Sequence, residues 1–282
     1  MSEKKGRDRF MNLREVGQDL VRDIAKWMPE DIKEGQVSYY VGRLDDQGQM
    51  ETIAAYDDRL VHAGASRVKT WIMEYLFYLA QEGLLDIKEK VSLEEVPLAE
   101  GGGALQELSP HHSFTYLELC RLMMVLSDNW ATNLLLHRLG MDAINERARQ
   151  IGLETFEIQR YMMDGQARAQ GRENRITAYD MAKLLAHIYG LRDSSSYGQE
   201  MWRILGRQQF RDHIPFHWGE EVPFHHKTGC LENVEHDGGI YPALHGAYVI
   251  VILMSHIPND KAIAASAHMG RLIKANLDRD FA

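Results

Sequence analysis

The stretch that decides the predicted fold is Ser66-Arg67-Val68-Lys69, which opens an apolar run with helical spacing. The apolar positions of this run are Val68, Trp71, Ile72, Tyr75, Leu76 and Leu79. Residues three apart in a helix lie one turn apart on the same face, so Ser66 and Lys69 are expected side by side. A serine becomes a good nucleophile when a base takes its proton, and a lysine can do this if desolvation or nearby positive charge lowers its pKa. The spacing therefore predicts a nucleophile and its base, although the same residues could be a helix N-cap and a solvated lysine.

Two later motifs favour the catalytic interpretation. Ser127-Asp128-Asn129 lies between two helical patterns, and Lys227-Thr228-Gly229 lies in a region that reads as a strand. Each motif alone could be a helix cap or the end of a strand. Together they follow Ser-x-x-Lys in order, at intervals of about sixty and then about one hundred residues. This is the signature set of class A β-lactamases and penicillin-binding proteins, and the chain resembles a class A β-lactamase-type serine hydrolase.

The resemblance implies the chemistry of three side chains. Ser66 is expected to attack a carbonyl group and form an acyl-enzyme. Lys69 is expected to act as the base for that step, a role that is disputed for the family. Ser127 is expected to pass a proton to the departing nitrogen or oxygen.

The resemblance also implies how substrate is held. Asn129 is expected to bind the substrate amide, and Lys227 with Thr228 a substrate carboxylate through charge-assisted hydrogen bonds. Backbone N–H groups of Ser66 and Cys230 are expected to form the oxyanion hole. The substrate-binding residues are thus expected to be Asn129, Lys227, Thr228 and Gly229.

The chain departs from the family pattern between residues 158 and 177. A class A β-lactamase has an Arg-x-Glu-x-x-Leu-Asn loop there, whose glutamate activates the deacylating water. Here the sequence from Arg160 to Gln166 puts Met162 where the glutamate should be, and a thioether cannot accept a proton. Asp164 and Glu173 are the carboxylates that could substitute for it. Slow release of the acyl group is therefore expected.

Composition limits the function classes. The chain has 282 residues, a net charge of −9 and a pI near 5.8, which argue against nucleic acid or an anionic membrane as a partner. The N-terminal stretch is polar and lacks the apolar core of a signal peptide, which predicts a cytoplasmic protein. Some class A enzymes pair the equivalent of Cys120 with a cysteine on the nucleophile helix, but Met73 stands there. Unpaired Cys120 and Cys230 fit a reducing compartment.

Strand patterns occur at both ends of the chain and helical patterns between them. Strands are expected at residues 37–44, 52–56, 222–228, 238–241 and 247–255, and terminal helices at residues 9–28 and 262–280. The predicted fold class is α/β, with an antiparallel sheet flanked by helices from both termini and an inserted all-helical lobe. Residues 1–60 with 208–282 would form the α/β lobe, and residues 61–207 the helical lobe.

The leading functional prediction is a serine hydrolase for an ester, amide or small peptide that carries a carboxylate. β-Lactams would be slow substrates or acylating inhibitors. Two alternatives remain open, a genuine class A-like β-lactamase and a non-turnover penicillin-binding protein. No cofactor is expected, and no metal site, because Pro215 breaks any helix that would align His213 with His217.

Overall fold

An antiparallel sheet built from both ends of the chain separates two apolar cores. The computed structural model describes residues 13–244 and 246–279. In that part of the chain the strands are β1 (Gln36–Leu44), β2 (Met50–Tyr56), β3 (His62–Ala63), β4 (Lys90–Ser92), β5 (Ser113–Thr115), β6 (Arg175–Ile176), β7 (His225–Leu231), β8 (Val234–Ala243) and β9 (Gly246–Ser255). The main sheet has the order β2-β1-β9-β8-β7, and every neighbouring pair in it is antiparallel.

Helices cover both faces of this sheet. They are α1 (Leu13–Trp27), α2 (Glu30–Lys33), α3 (Lys69–Gln81), α4 (Tyr116–Val125), α5 (Asn129–Leu139), α6 (Met141–Gln150), α7 (Gly165–Ala169), α8 (Ala178–Leu191), α9 (Ser196–Leu205) and α10 (Asn259–Asp278). The helices α1 and α10 lie near the two ends of the chain and contact each other. The α/β fold class predicted from the sequence is confirmed, while the lobe boundaries given above stay a prediction.

The central strand β9 shows why the sheet has two buried faces. Side chains of a strand alternate between its faces. Val249, Val251 and Leu253 belong to the core shared with α3 to α6, α8 and α9. The intervening residues Tyr248, Ile250, Ile252 and Met254 belong to the core shared with α1 and α10. The continuous apolar run of β9 is thus the signature of a strand covered on both sides.

Several predicted bounds differ from the structure. The strand expected from residue 222 begins at His225, because Pro223 has no N–H to donate to a ladder. The strand expected at residues 238–241 is part of the longer β8, whose glycines weaken the local strand pattern. The helix α9 begins at Ser196, and the Ser195 hydroxyl caps it by accepting a hydrogen bond from Gly198 N at 3.0 Å. Residues 9–12 of the predicted first helix lie outside the described residues.

The Ser-x-x-Lys stretch forms a tight turn before the helix that the sequence predicts. Residues Ala65–Val68 are a 3₁₀ turn, and Lys69 is the first residue of α3. Ala65 has a φ of +44°, a left-handed conformation that costs free energy for a non-glycine residue and is often found at functional sites.

None of the described helices combines the length and the apolar character that a membrane span requires.

Candidate active site

The three motifs meet around one cavity of about 320 Å³ at the β7 edge of the sheet. Ser66 lines it from the turn before α3, and Ser127 and Asn129 line it from the connection between α4 and α5. Thr228, Gly229 and Cys230 line it from β7. Lys69 and Lys227 are fully buried, and their amines point to Ser127. All the site residues expected from the sequence therefore lie together in or directly beside this cavity.

The buried amine of Lys69 is surrounded by acceptors from the second motif. It donates to Ser127 O at 2.7 Å, to Asn129 Oδ1 at 2.8 Å and to Ser127 Oγ at 3.1 Å. Burial lowers the pKa of Lys69 to about 7, against the opposing effect of the Asp128 carboxylate. Among the contacts of the described residues, its amine makes no hydrogen bond to Ser66. Catalytic hydrogen bonds are often long without substrate and shorten when substrate binds.

Lys227 brings a second amine to the same hydroxyl. Its Nζ donates to Ser127 Oγ at 3.1 Å and to Thr228 O at 2.9 Å. Burial, and the positive charges of Lys69 and Arg67, hold the pKa of Lys227 well below its usual range. The Ser127 hydroxyl thus lies between two amines. Ser127 itself has a φ of +57°, which places its side chain there at a cost in backbone strain.

Asp128 fixes a glycine-rich loop, residues 100–105 with Gly101, Gly102 and Gly103, beside the cavity. Its Oδ2 accepts hydrogen bonds from Ala104 N at 2.7 Å and Leu105 N at 2.8 Å, while its Oδ1 caps α5. Asn129 Nδ2 donates to Glu100 O at 2.9 Å. The loop is therefore docked on the Ser127-Asp128-Asn129 turn. Asn129 already binds Lys69 and this loop through its two side-chain atoms.

We expect Gly103→Ala to destabilise the protein much more than Gly83→Ala. Both glycines have positive φ values, +98° and +70°, so both substitutions cost about 1–2 kcal/mol of backbone strain. A Cβ on Gly103 would also lie 2.1 Å from Asp128 Oδ2, whereas one on Gly83 would meet nothing within 4 Å. Overpacking adds about 1–3 kcal/mol for Gly103→Ala. Urea unfolding of both variants measures the difference, and equal losses would show that the loop is not held by Asp128.

A close approach joins β7 to the Ser66 turn. A Cβ on Gly229 would lie 3.2 Å from Ser66 N and 3.0 Å from Arg67 Cγ, so only glycine fits without displacement. The fully buried Arg67 guanidinium donates to Lys227 O and, at 2.8 Å, to Gly238 O. Sequence reasoning left Arg67 as an unassigned position of the motif. Its role depends on strands far along the chain, for which the local pattern gives no signal.

Two methionines form part of the cavity wall. Asn133 fixes the backbone of Met162, since its Oδ1 accepts from Met162 N at 2.8 Å and its Nδ2 donates to Met162 O at 3.1 Å. Met162 and Met163 both line the cavity. Asp164 is the N-cap of α7, and Glu173 pairs with Arg160 at 2.7 Å. Neither carboxylate is among the described residues that line the cavity.

Asp212 and Glu235 also line the cavity, and the carboxylates of both form hydrogen bonds with His213. His213 Nδ1 lies 2.8 Å from Asp212 Oδ1, and His213 Nε2 lies 2.9 Å from Glu235 Oε2. Burial alone would lower the pKa of His213, but the hydrogen bonds to Asp212 and Glu235 raise it to about 10. The ring is therefore a cation at neutral pH and is neutralised by its own neighbours. The sequence showed these residues only as isolated charges.

This cluster predicts a pH dependence of stability. A histidine whose pKa rises from 6.5 to about 10 on folding contributes stability that is fully present below pH 6.5. That contribution is lost as pH rises through about 10. We expect the free energy of unfolding to fall between these pH values in the native protein and to fall less in His213→Gln. Urea unfolding at pH 6.5, 8 and 10 tests this, and parallel curves for the two proteins would contradict it.

The fold and the assembled site define a serine hydrolase of the β-lactamase-like superfamily. A model described as "Beta-lactamase enzyme family" matches residues 19–277, and the chain belongs to this family. Beta-lactamase BRO-1 of Moraxella catarrhalis is 29% identical over 91 residues, which is 32% of this chain and 29% of that protein. The match thus spans under a third of that curated relative.

Solved structures give the same fold over nearly the whole chain. A variant of PBP-A, in an acyl-enzyme complex with penicillin G, is 23% identical with a TM-score of 0.79, over 94% of this chain and 97% of that one. A β-lactamase from Sphaerobacter thermophilus is 22% identical with a TM-score of 0.78, over 93% and 96%. The TLA-1 extended-spectrum β-lactamase is 16% identical with a TM-score of 0.82, over 93% and 99%. At these identities the likeness shows the fold.

Proposed function

We propose that this protein hydrolyses an ester, amide or small peptide carrying a carboxylate through an acyl-enzyme on Ser66. β-Lactams would acylate the same serine and be released slowly. The observation that carries the proposal is the buried Lys69 amine, whose pKa of about 7 allows a neutral base one turn from Ser66. No cofactor enters this mechanism, and the partner of the protein is its small substrate.

Acylation would require proton transfers among Ser66, Lys69, Ser127 and the leaving atom. Lys69 takes the hydroxyl proton of Ser66 as Ser66 Oγ bonds to the carbonyl carbon, and the carbonyl oxygen becomes an oxyanion. The backbone N–H groups of Ser66 and Cys230 stabilise that charge, which the close approach of Gly229 to Ser66 N supports. As the carbon–nitrogen or carbon–oxygen bond breaks, Ser127 gives its proton to the leaving atom. The Lys69 ammonium, 3.1 Å from Ser127 Oγ, then returns a proton to Ser127.

The binding roles rest on the same geometry. A substrate carboxylate beside Thr228 would face the Lys227 amine, which would bind it most strongly when protonated. When substrate binds, one side-chain atom of Asn129 would leave its present partner, Lys69 or the glycine-rich loop. That atom would then contact the substrate amide. Thr228, Gly229 and Cys230 line the cavity on the edge strand β7, so their backbone is available to a bound substrate.

The rate of deacylation distinguishes the proposed function from its two alternatives, a genuine β-lactamase and a penicillin-binding protein that stays acylated. A general base normally accelerates such a step by about 10²–10⁴-fold, and Met162 cannot supply one. This favours slow turnover over a genuine β-lactamase, although the family relatives named above include β-lactamases. A penicillin-binding protein that stays acylated is the second candidate. The penicillin G acyl-enzyme of a leucine-to-glutamate variant of PBP-A gives it a structural precedent.

A time course by mass spectrometry tests the proposal. Native protein and Ser66→Ala are mixed with penicillin G, and the intact mass is followed. We expect an adduct that forms on the native protein, decays slowly and never forms on Ser66→Ala. Rapid hydrolysis with no accumulated adduct would favour a true β-lactamase, a permanent adduct would favour the binding protein, and equal labelling of both proteins would exclude Ser66.

A panel of nitrophenyl esters then reports whether simple acyl groups turn over, with Ser66→Ala as the control.

A cytoplasmic location stays part of the proposal. It is supported by the free thiols of buried Cys120 and exposed Cys230.

A further inference from the structure

A second cavity adjoins the active-site cavity behind a wall of two methionines. It has a volume of about 680 Å³. Met162 and Met163 line both cavities and form a wall that the two spaces share. The loop of residues 100–102 also lies between them, because Glu100 lines the second cavity while Gly101 and Gly102 line the first.

The two methionines differ in how tightly the surrounding protein holds them. Met162 is buried, and Asn133 holds its backbone by two hydrogen bonds. The side chain of Met163 is 59% exposed and lies over Gly101, with its Cε 3.0 Å from the place a Cβ would take. Methionine is unbranched and adapts its shape readily. Of the two, Met163 is therefore the side chain that can change its rotamer to admit a ligand over Gly101.

Part of the lining of the second cavity is apolar. This part includes the run Val96, Pro97, Leu98 and Ala99. Leu98 is 48% exposed, which leaves an apolar side chain at the rim without cover from the described residues. Three carboxylates also line the cavity; Glu100 is exposed, and the other two have partners elsewhere. Glu95 pairs with Arg138 at 3.4 Å, and Asp164 Oδ1 caps α7.

We propose that this second cavity binds the apolar portion of a substrate's acyl group, an aliphatic chain that runs from Ser66 past Gly101 and beneath Met163. The inference rests on the proposed acyl-enzyme, because the acyl carbon must lie at Ser66. The wall that the two cavities share at Met162 and Met163 selects this occupant over a separate ligand. A carboxylate on the departing side of the substrate would still lie beside Thr228, away from this chain.

The test compares acyl chain lengths in Leu98→Asp and in a matched control, Leu84→Asp. Leu84 is 72% exposed and lines neither cavity among the described residues. For each protein, kcat/KM is measured with nitrophenyl acetate, butyrate, octanoate and decanoate. We expect the decanoate-to-acetate ratio to exceed one in the native protein and in Leu84→Asp, and to fall about tenfold in Leu98→Asp. A ratio that does not rise with chain length, or that is equal in all three proteins, would overturn the proposal.

A binding measurement keeps this result separate from the fate of the proposed function. Ser66→Ala protein, with and without Leu98→Asp, is titrated with decanoate and followed by NMR. Decanoate that binds only when Leu98 is present supports the cavity even if no ester is turned over. Absence of decanoate binding, or binding that Leu98→Asp does not weaken, overturns it even if Ser66 is acylated by penicillin G.

Discussion

Replacing Met162 with glutamate is expected to accelerate release of the penicillin G acyl group by about 10²–10⁴-fold, the usual contribution of a general base. Met162 lines the Ser66 cavity, and Asn133 fixes its backbone, so the new carboxylate would start from a defined position. Burial at this position raises the pKa of a carboxyl group toward neutrality, where it is a more effective base. The same burial would cost some stability.

The release rate is measured by quenching the acylated protein at intervals and following the loss of adduct by mass spectrometry. Met162→Gln is the control, because it has nearly the same shape as the glutamate but cannot take a proton. If the glutamine and glutamate variants release the acyl group at the same rate, Met162 does not stand where a deacylating base can act.

Replacing Lys69 with arginine is expected to slow acylation of Ser66 by about 10²–10⁴-fold. Arginine keeps the positive charge but stays protonated at every accessible pH, so it cannot accept the serine proton. In the native protein, the acylation rate should rise as pH increases through about 7, because the neutral amine is the active form. The arginine variant should lose that rise.

Stopped-flow or rapid-quench acylation by penicillin G between pH 5.5 and 8.5 measures both effects. Because the site is buried, Lys69→Met is a second variant that removes the charge while keeping an unbranched side chain. Circular dichroism establishes that each variant is folded. A folded Lys69→Arg protein with native acylation rates would remove Lys69 from the mechanism.

The three motifs predicted residues that line the cavity, but they did not predict the residues that surround and hold them. Ser66, Ser127 and Thr228 could be expected in one cavity, because three short motifs in a fixed order resemble a family whose fold brings them together. The apolar run of β9 likewise predicted a buried strand. Both inferences use information that is local in the sequence.

What could not be predicted depends on partners distant in the chain. Arg67 has no role that its neighbours in the sequence predict, yet it is buried against β7 and β8. Asn133 gives no sign from its neighbours that it holds the backbone of Met162. Whether Asp164 or Glu173 could act as a deacylating base also depended on side-chain pairing. In the structure one caps a helix and the other binds Arg160.

The position of the Ser127 hydroxyl, 3.1 Å from each of two lysine amines, has a consequence for kinetic measurements. Titrating groups that interact this closely lose protons in macroscopic steps that belong to the pair. A break in a pH–rate profile is therefore a property of both lysines, and removing the charge of Lys227 should displace a break that looks like the ionisation of Lys69 alone. Microscopic constants for the two amines require site-resolved spectroscopy, such as NMR of isotopically labelled lysine side chains.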